Sequence, residues 1–216
     1  MNRILKVLFF LLIVRVIVLI IMGLCIRHKE RLPRSGPAIL VANHNSHLDT
    51  LVLMSLFPLS MLHHLRPLAD EDYFLKKNRR LAWFSRRILD IIPVSREPEN
   101  DCSAHRTFLT NCATALQQND ILILYPEGTR GEPEHLTSFK SGIAHLSKHH
   151  PDVPIIPIFL NGLGKALPKG EFLLVPFFCN VIVGEPLYWN GHKQSFLQQL
   201  TERFQVLSSQ AMLPVK

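Results

Sequence analysis

Asn43-His44-Asn45-Ser46-His47-Leu48-Asp49 follows directly on the apolar run Ala38 to Ala42. An imidazole ordinarily titrates near neutrality, so His44 is the natural general base of this stretch. Asp49 is placed to accept a hydrogen bond from the other ring nitrogen and fix its tautomer. Residues five apart on a regular helix lie about 140° apart around the axis. The pair can therefore meet only if His44 sits in the loop before a helix and Asp49 in its first turn. Ser46 then falls at the N-cap and Asp49 at the third helical position, the capping-box pattern Ser-x-x-Asp. The residues alone leave both readings open, a base with its orienter or a capped helix with a loop histidine. A metal set of His44, His47 and Asp49 is the weaker alternative, because no fourth ligand is evident.

A second chemically loaded stretch is Tyr125-Pro126-Glu127-Gly128-Thr129-Arg130. Gly128 permits a tight turn and close approach of a ligand to backbone N–H groups. Arg130 offers a planar fork of donors suited to phosphate. Glu127 is expected to position Arg130 or a substrate hydroxyl. The competing reading is an ordinary surface turn with an ion pair. Ile92-Pro93-Val94-Ser95-Arg96 ends a short apolar run with another guanidinium, and Val153-Pro154-Ile155-Ile156-Pro157-Ile158 carries two prolines into a further run. Proline suits a strand start or edge.

The elements that must position these residues alternate in type. Ala38 to Ala42, Ile121 to Tyr125, Ile155 to Leu160, Val181 to Val183 and Ile91 to Val94 are short and β-branched, and predict strands. Asp49 to Phe57, Leu81 to Leu89, Ala104 to Gln118, Gly142 to Lys148 and Ser195 to Leu207 predict helices. That alternation predicts a single α/β domain with a central, largely parallel or mixed sheet covered by helices. Sites in such folds gather beyond the carboxyl ends of the strands, where the first two stretches would lie.

Before the domain, Val7 to Ile26 is a 20-residue run with one charge, Arg15. As a helix at about 1.5 Å per residue it would approach the thickness of a bilayer core. A membrane-anchoring helix is expected, either spanning with Arg15 snorkelling or lying in the interface. A cleaved signal peptide is the rival, but no small-x-small site follows the run. Arg27, His28, Lys29, Arg31 and Arg34 flank its C-terminal side. A spanning helix would then leave the main domain facing the cytoplasm. The expected division is a membrane helix with basic flanks over 1–28 and the main domain over 29–216, its motif-bearing core at about 36–165. The chain of 216 residues carries 24 Lys+Arg against 17 Asp+Glu, a formal +7. Anionic partners are favoured. Lys76, Lys77, Arg79, Arg80, Arg86 and Arg87 are interleaved with Phe74, Trp83 and Phe84. No nucleic-acid motif accompanies them, so an anionic membrane surface is the expected partner rather than nucleic acid. The four cysteines stand singly, which suggests neither a zinc nor a redox motif.

Taken together, the four stretches resemble the PlsC-type glycerolipid acyltransferases, the 1-acylglycerol-3-phosphate acyltransferase family. N-H-x-S-x-x-D matches residues 43–49, E-G-T-R matches 127–130, the proline-bearing motif matches 153–158, and the strand ending in Arg matches 92–96 loosely. The resemblance implies transfer of a fatty acyl group from acyl-CoA or acyl-carrier protein to the free hydroxyl of 1-acylglycerol-3-phosphate, giving phosphatidate. It implies His44 as general base and Asp49 as its orienter, with Arg96, Glu127, Gly128, Thr129 and Arg130 at the acceptor phosphate. No metal or other cofactor is implied. The motifs leave the headgroup open, so another lysophospholipid or a lyso-ornithine lipid is the alternative acceptor. A non-catalytic lipid-binding protein and a metal-dependent membrane hydrolase are alternatives of other classes. A covalent acyl-enzyme on Ser46 is the mechanistic rival to direct attack. No G-x-S-x-G elbow supports it.

Overall fold

All five residues of β2 (Ala38–Ala42) are buried, as a strand covered on both faces requires. In the computed structural model, which describes residues 2–18, 23–46, 48–76, 78–95, 102–128, 137–166 and 177–211, this strand lies mid-sheet. The other strands are β1 (Cys25–Arg27), β3 (Leu65–Asp70), β4 (Ile92–Val94), β5 (Ile121–Leu124), β6 (Ile155–Asn161) and β7 (Asn180–Val183). Their order is β1-β7-β6-β2-β5-β3-β4. β6, β2, β5, β3 and β4 run parallel; β7 is antiparallel to β6, and β1 runs parallel to β7. The sheet is therefore mixed, with a parallel block that carries the motifs.

Alternation along β2 divides the core in two. Ala38, Leu40 and Ala42 pack with Phe10, Val14 and Val18 and with Val52, Leu53 and Met54 of α2 (Leu48–Ser55). Ile39 and Val41 face the opposite side, with α4 (Cys102–Gln117), α5 (Gly142–His149) and α7 (Lys193–Ala211). Two short helices, α3 (Arg79–Phe84) and α6 (Leu163–Ala166), complete the set. Cys112 and Cys179 are buried free thiols, and burial pushes them up to about 12 and about 11, so both stay protonated.

The structure adds a strand to the expected set and corrects one expectation. The sequence reading assigns no strand to β3, because Leu65-Arg66-Pro67-Leu68-Ala69-Asp70 contains two charges and a proline. Its first half pairs with β5 and its second half with β4, so Pro67 sits where the pairing changes sides. Arg66 is held by Asp90 and by Asp120, the latter at 2.7 Å. The correction concerns Val7 to Ile26, which is not one helix. α1 (Asn2–Phe9) continues as a wider π-helical stretch, Phe10–Val14, and stays helical to residue 18. Gly23 then takes a left-handed φ of 49°, and Cys25–Arg27 form an edge strand. No helix among the described residues is long and apolar enough to cross a membrane.

The N-terminal helical segment has two unlike faces. Lys6, Phe10, Val14 and Val18 recur every fourth residue and are buried against the domain. Lys6 Nζ donates to the Leu89 carbonyl at 3.4 Å, and burial lowers its pKa to about 8 against the pull of Asp90. Arg15, the lone charge of the run, donates to the Phe57 carbonyl at 3.3 Å. The outer face exposes Ile4, Leu5, Leu8, Leu11, Leu12, Ile13 and Val16.

Candidate active site

At Asn43 the main chain leaves the sheet and a side chain takes its place. Asn43 Nδ2 donates to the Leu160 carbonyl at 2.8 Å, and Oδ1 accepts from Leu160 N–H at 2.7 Å. The amide imitates one more rung of the β2–β6 ladder, which otherwise ends at Ala42 and Ile158. Asn45 Nδ2 adds a bond to the same carbonyl at 3.2 Å. The loop is thus fixed to β6 while its backbone turns toward α2.

That turn brings His44 Nδ1 to 2.9 Å from Asp49 Oδ2. The same oxygen accepts from the N–H groups of Asn45 at 2.6 Å and Ser46 at 2.8 Å. An oxygen that already accepts two N–H groups acts as acceptor for the ring too. Nδ1 then carries the proton and Nε2 presents its lone pair. Cap and orienter are therefore not alternatives, since one buried carboxylate oxygen closes the helix start and holds the imidazole. Asp49 Oδ1 is buried with no hydrogen-bond partner among the described residues. Ser46 is buried, and its Oγ accepts from Leu48 N–H at 3.3 Å.

The second motif meets the first at the end of β5. Tyr125 stacks on the His44 ring, with centroids 4.1 Å apart and planes 20° apart. Its hydroxyl is 2.9 Å from Thr50 Oγ1. Burial, with a contribution from Asp49, holds the Tyr125 phenol well above its usual range. The turn from Tyr125 to Gly128 is closed by Gly128 N–H donating to the Tyr125 carbonyl at 3.1 Å. Glu127 Oε1 accepts from His44 N–H at 3.2 Å, and Oε2 accepts from Thr137 Oγ1 at 3.0 Å. Glu127 therefore links the two motif loops. Burial raises its pKa, while the bonds from Thr137 and His44 oppose the rise. Gly128 has φ 72°, and a Cβ there would lie 2.7 Å from Lys140 Cε, so the lysine stem passes directly over the turn. Lys140 N–H donates to the Pro126 carbonyl at 2.8 Å.

His44, Thr50, Tyr125, Gly128 and Lys140 line a cavity of about 410 Å3 whose remaining wall is largely apolar, with Leu68, Phe74, Val94, Phe108, Leu124 and Ile143. Of the expected site residues, His44, Asp49, Glu127 and Gly128 come together beyond the carboxyl ends of β2 and β5. Arg96, Thr129 and Arg130 lie outside the described residues, as does His47. Tyr125, Thr50, Asn43 and Thr137 were not assigned roles from sequence. The one available signal was their position at or beside the motifs.

The Acyltransferase family model matches residues 23–161. The chain belongs to the Acyltransferase family. Among its relatives, the 1-acyl-sn-glycerol-3-phosphate acyltransferase alpha of Ovis aries is 27% identical over 179 residues, covering 82% of this chain and 58% of that protein. The chloroplastic 1-acyl-sn-glycerol-3-phosphate acyltransferase BAT2 of Brassica napus is 30% identical over 183 residues, covering 80% of this chain and 46% of that protein. The chain thus spans about half the length of these two curated relatives. The crystal structure of the 1-acyl-sn-glycerophosphate (LPA) acyltransferase PlsC from Thermotoga maritima shares the fold of this Acyltransferase chain. Its TM-score is 0.75 at 19% identity, and the match covers 99% of this chain and 81% of that one.

Proposed function

We propose that this chain is a membrane-associated O-acyltransferase that moves a fatty acyl group from acyl-CoA or acyl-carrier protein to the free hydroxyl of 1-acylglycerol-3-phosphate, giving phosphatidate. The observation that carries the reading is His44 lining the cavity with Nδ1 held by Asp49 at 2.9 Å. An alcohol is too weak an acid to ionise near neutrality, so its attack on a thioester needs a base during bond formation. His44 Nε2 takes the hydroxyl proton as the oxygen adds to the thioester carbonyl. The tetrahedral intermediate collapses with loss of the thiolate, which the imidazolium can reprotonate. The balance closes without a metal or other cofactor. Ser46 is a poor nucleophile here, being buried with its Oγ engaged in the cap, which favours direct attack over an acyl-enzyme.

Arg130 and Arg96, with Gly128 and Thr129, are assigned to the acceptor phosphate, and Glu127 to holding that loop against the base. The test is turnover of the purified protein against a panel of lyso-acceptors, with both acyl donors side by side. Selective use of lysophosphatidate supports the reading; preference for a lyso-ornithine lipid or another lysophospholipid overturns the acceptor assignment. Arg130→Ala is expected to raise KM for the phosphorylated acceptor by about 10- to 100-fold, the usual worth of a charged hydrogen bond, with a smaller change in kcat. A rise confined to the donor KM would overturn the phosphate assignment.

Membrane attachment is assigned to the outer face of α1. Its apolar row is exposed on the same segment that packs against the α3 region, through Phe9 and Phe84 at 5.2 Å and through Lys6 and Leu89. Around that contact Arg79, Arg80, Arg86 and Arg87 are exposed, as is Trp83. Apolar side chains beside clustered arginines suit a helix lying in the interface of an anionic leaflet. A cytoplasm-facing domain is assigned with it, since the cytoplasmic leaflet carries the anionic lipids. Leu8→Glu combined with Leu12→Glu should weaken partition onto anionic vesicles by at least about 100-fold in a flotation assay, with Tm unchanged because both side chains are exposed. Undiminished flotation would overturn the assignment.

A further inference from the structure

We propose that Tyr125 is a positioning residue for this reaction: its ring holds the face of the His44 imidazole, and its hydroxyl ties that ring to Thr50 on the helix that carries Asp49. The proposal rests on His44 being the base. A single Nδ1···Oδ2 bond fixes one atom of the imidazole and leaves the ring free to tilt about it. Proton transfer needs Nε2 within hydrogen-bond reach of the acceptor hydroxyl, so tilt is the motion that has to be suppressed. A neighbouring ring 4.1 Å away and within 20° of parallel does that.

A stacked ring would itself slide unless anchored. The Tyr125 hydroxyl at 2.9 Å from Thr50 Oγ1 supplies the anchor at one end. The Gly128 N–H to Tyr125 carbonyl bond, 3.1 Å long, fixes its backbone at the other. Thr50 is the residue after Asp49 on α2, so both restraints on the imidazole lead back to one helix. The tyrosine face also carries negative quadrupole density, which favours the imidazolium formed in mid-reaction. Burial keeps the phenol protonated, so Tyr125 acts by placement and not by proton transfer.

The bland alternative is that Tyr125 is simply packed against the core, and kinetics separate the two. In the full-length chain, Tyr125→Phe and Thr50→Val should each lower kcat by about fivefold with both KM values unchanged, the scale of one hydrogen bond. The double variant should be no slower than either single one, because one bond joins the two residues. Tyr125→Leu removes the stack and should lower kcat by about 10- to 100-fold, with the acid limb of the kcat profile moving to lower pH. Tyr125→Phe should restore most of that loss. Additive losses in the double variant, or a Tyr125→Leu effect confined to KM or to Tm, would overturn the proposal. His44→Ala tests the reading beneath it. Retained turnover in that variant would remove the base assignment itself. An inactive His44→Ala beside a Tyr125→Leu of wild-type kcat and pH profile would remove only the role of Tyr125.

Discussion

His44→Ala should lower kcat by about 100- to 10,000-fold, the range general base catalysis supplies, while the protein stays folded. The fold should survive because little depends on the ring. Asp49 Oδ2 keeps the N–H groups of Asn45 and Ser46, and the bond to Glu127 comes from the His44 main chain. The imidazole is itself partly exposed, at 22% of its side-chain surface. Loss of kcat with wild-type Tm and near-wild-type KM is the expected result in a steady-state assay paired with a thermal melt. Turnover within a few fold of wild type would mean that another group removes the proton.

Asp49→Asn should produce the second large effect by a different route. The amide oxygen can occupy the Oδ2 position and still accept from Asn45, Ser46 and His44, and the amide nitrogen would take the Oδ1 position, where no partner stands among the described residues. Shape is preserved and the negative charge is lost. At an effective dielectric constant of about 20, a unit charge at about 4 Å stabilises the imidazolium by about 4 kcal/mol, or about a thousandfold in rate. Asp49→Ala should add a stability loss, because two buried N–H groups lose their acceptor at about 1–3 kcal/mol each. The informative contrast is Tm: higher for Asn, which keeps the loop's acceptor, than for Ala, which removes it. Equal melting temperatures for Asn and Ala would mean that the carboxylate does not hold the loop.

The strands that the sequence predicts, β2, β5, β6 and β7, are runs buried almost throughout, and composition reports that directly; β4 is shorter and only partly buried. β3 was hidden because Arg66 and Pro67 argue against a strand, and the pairing that tolerates them comes from β4 and β5, which lie far along the chain. The Val7 to Ile26 run reads as one helix in the sequence because apolar content cannot distinguish its uses. Part of it faces the core, part faces outward, and its last residues become a strand. At the site, the His44–Asp49 pair was legible as two competing readings, since spacing cannot show that one oxygen serves both. Tyr125 with Thr50 and Asn43 with Leu160 are separated by 75 and 117 residues, so no local pattern could announce them.

The π-helical N-terminal segment is more than a hydrophobic tail, since Phe10, Val14 and Val18 belong to the core and Cys25–Arg27 form the outermost rung of the sheet. If α1 lies on a leaflet as proposed, its buried face ties it to the domain core. Protein and leaflet contact would then rotate and translate as one rigid raft. A lysolipid diffusing in that leaflet would then be found by a search in two dimensions, and desorption of the product would not require the enzyme to let go of the surface.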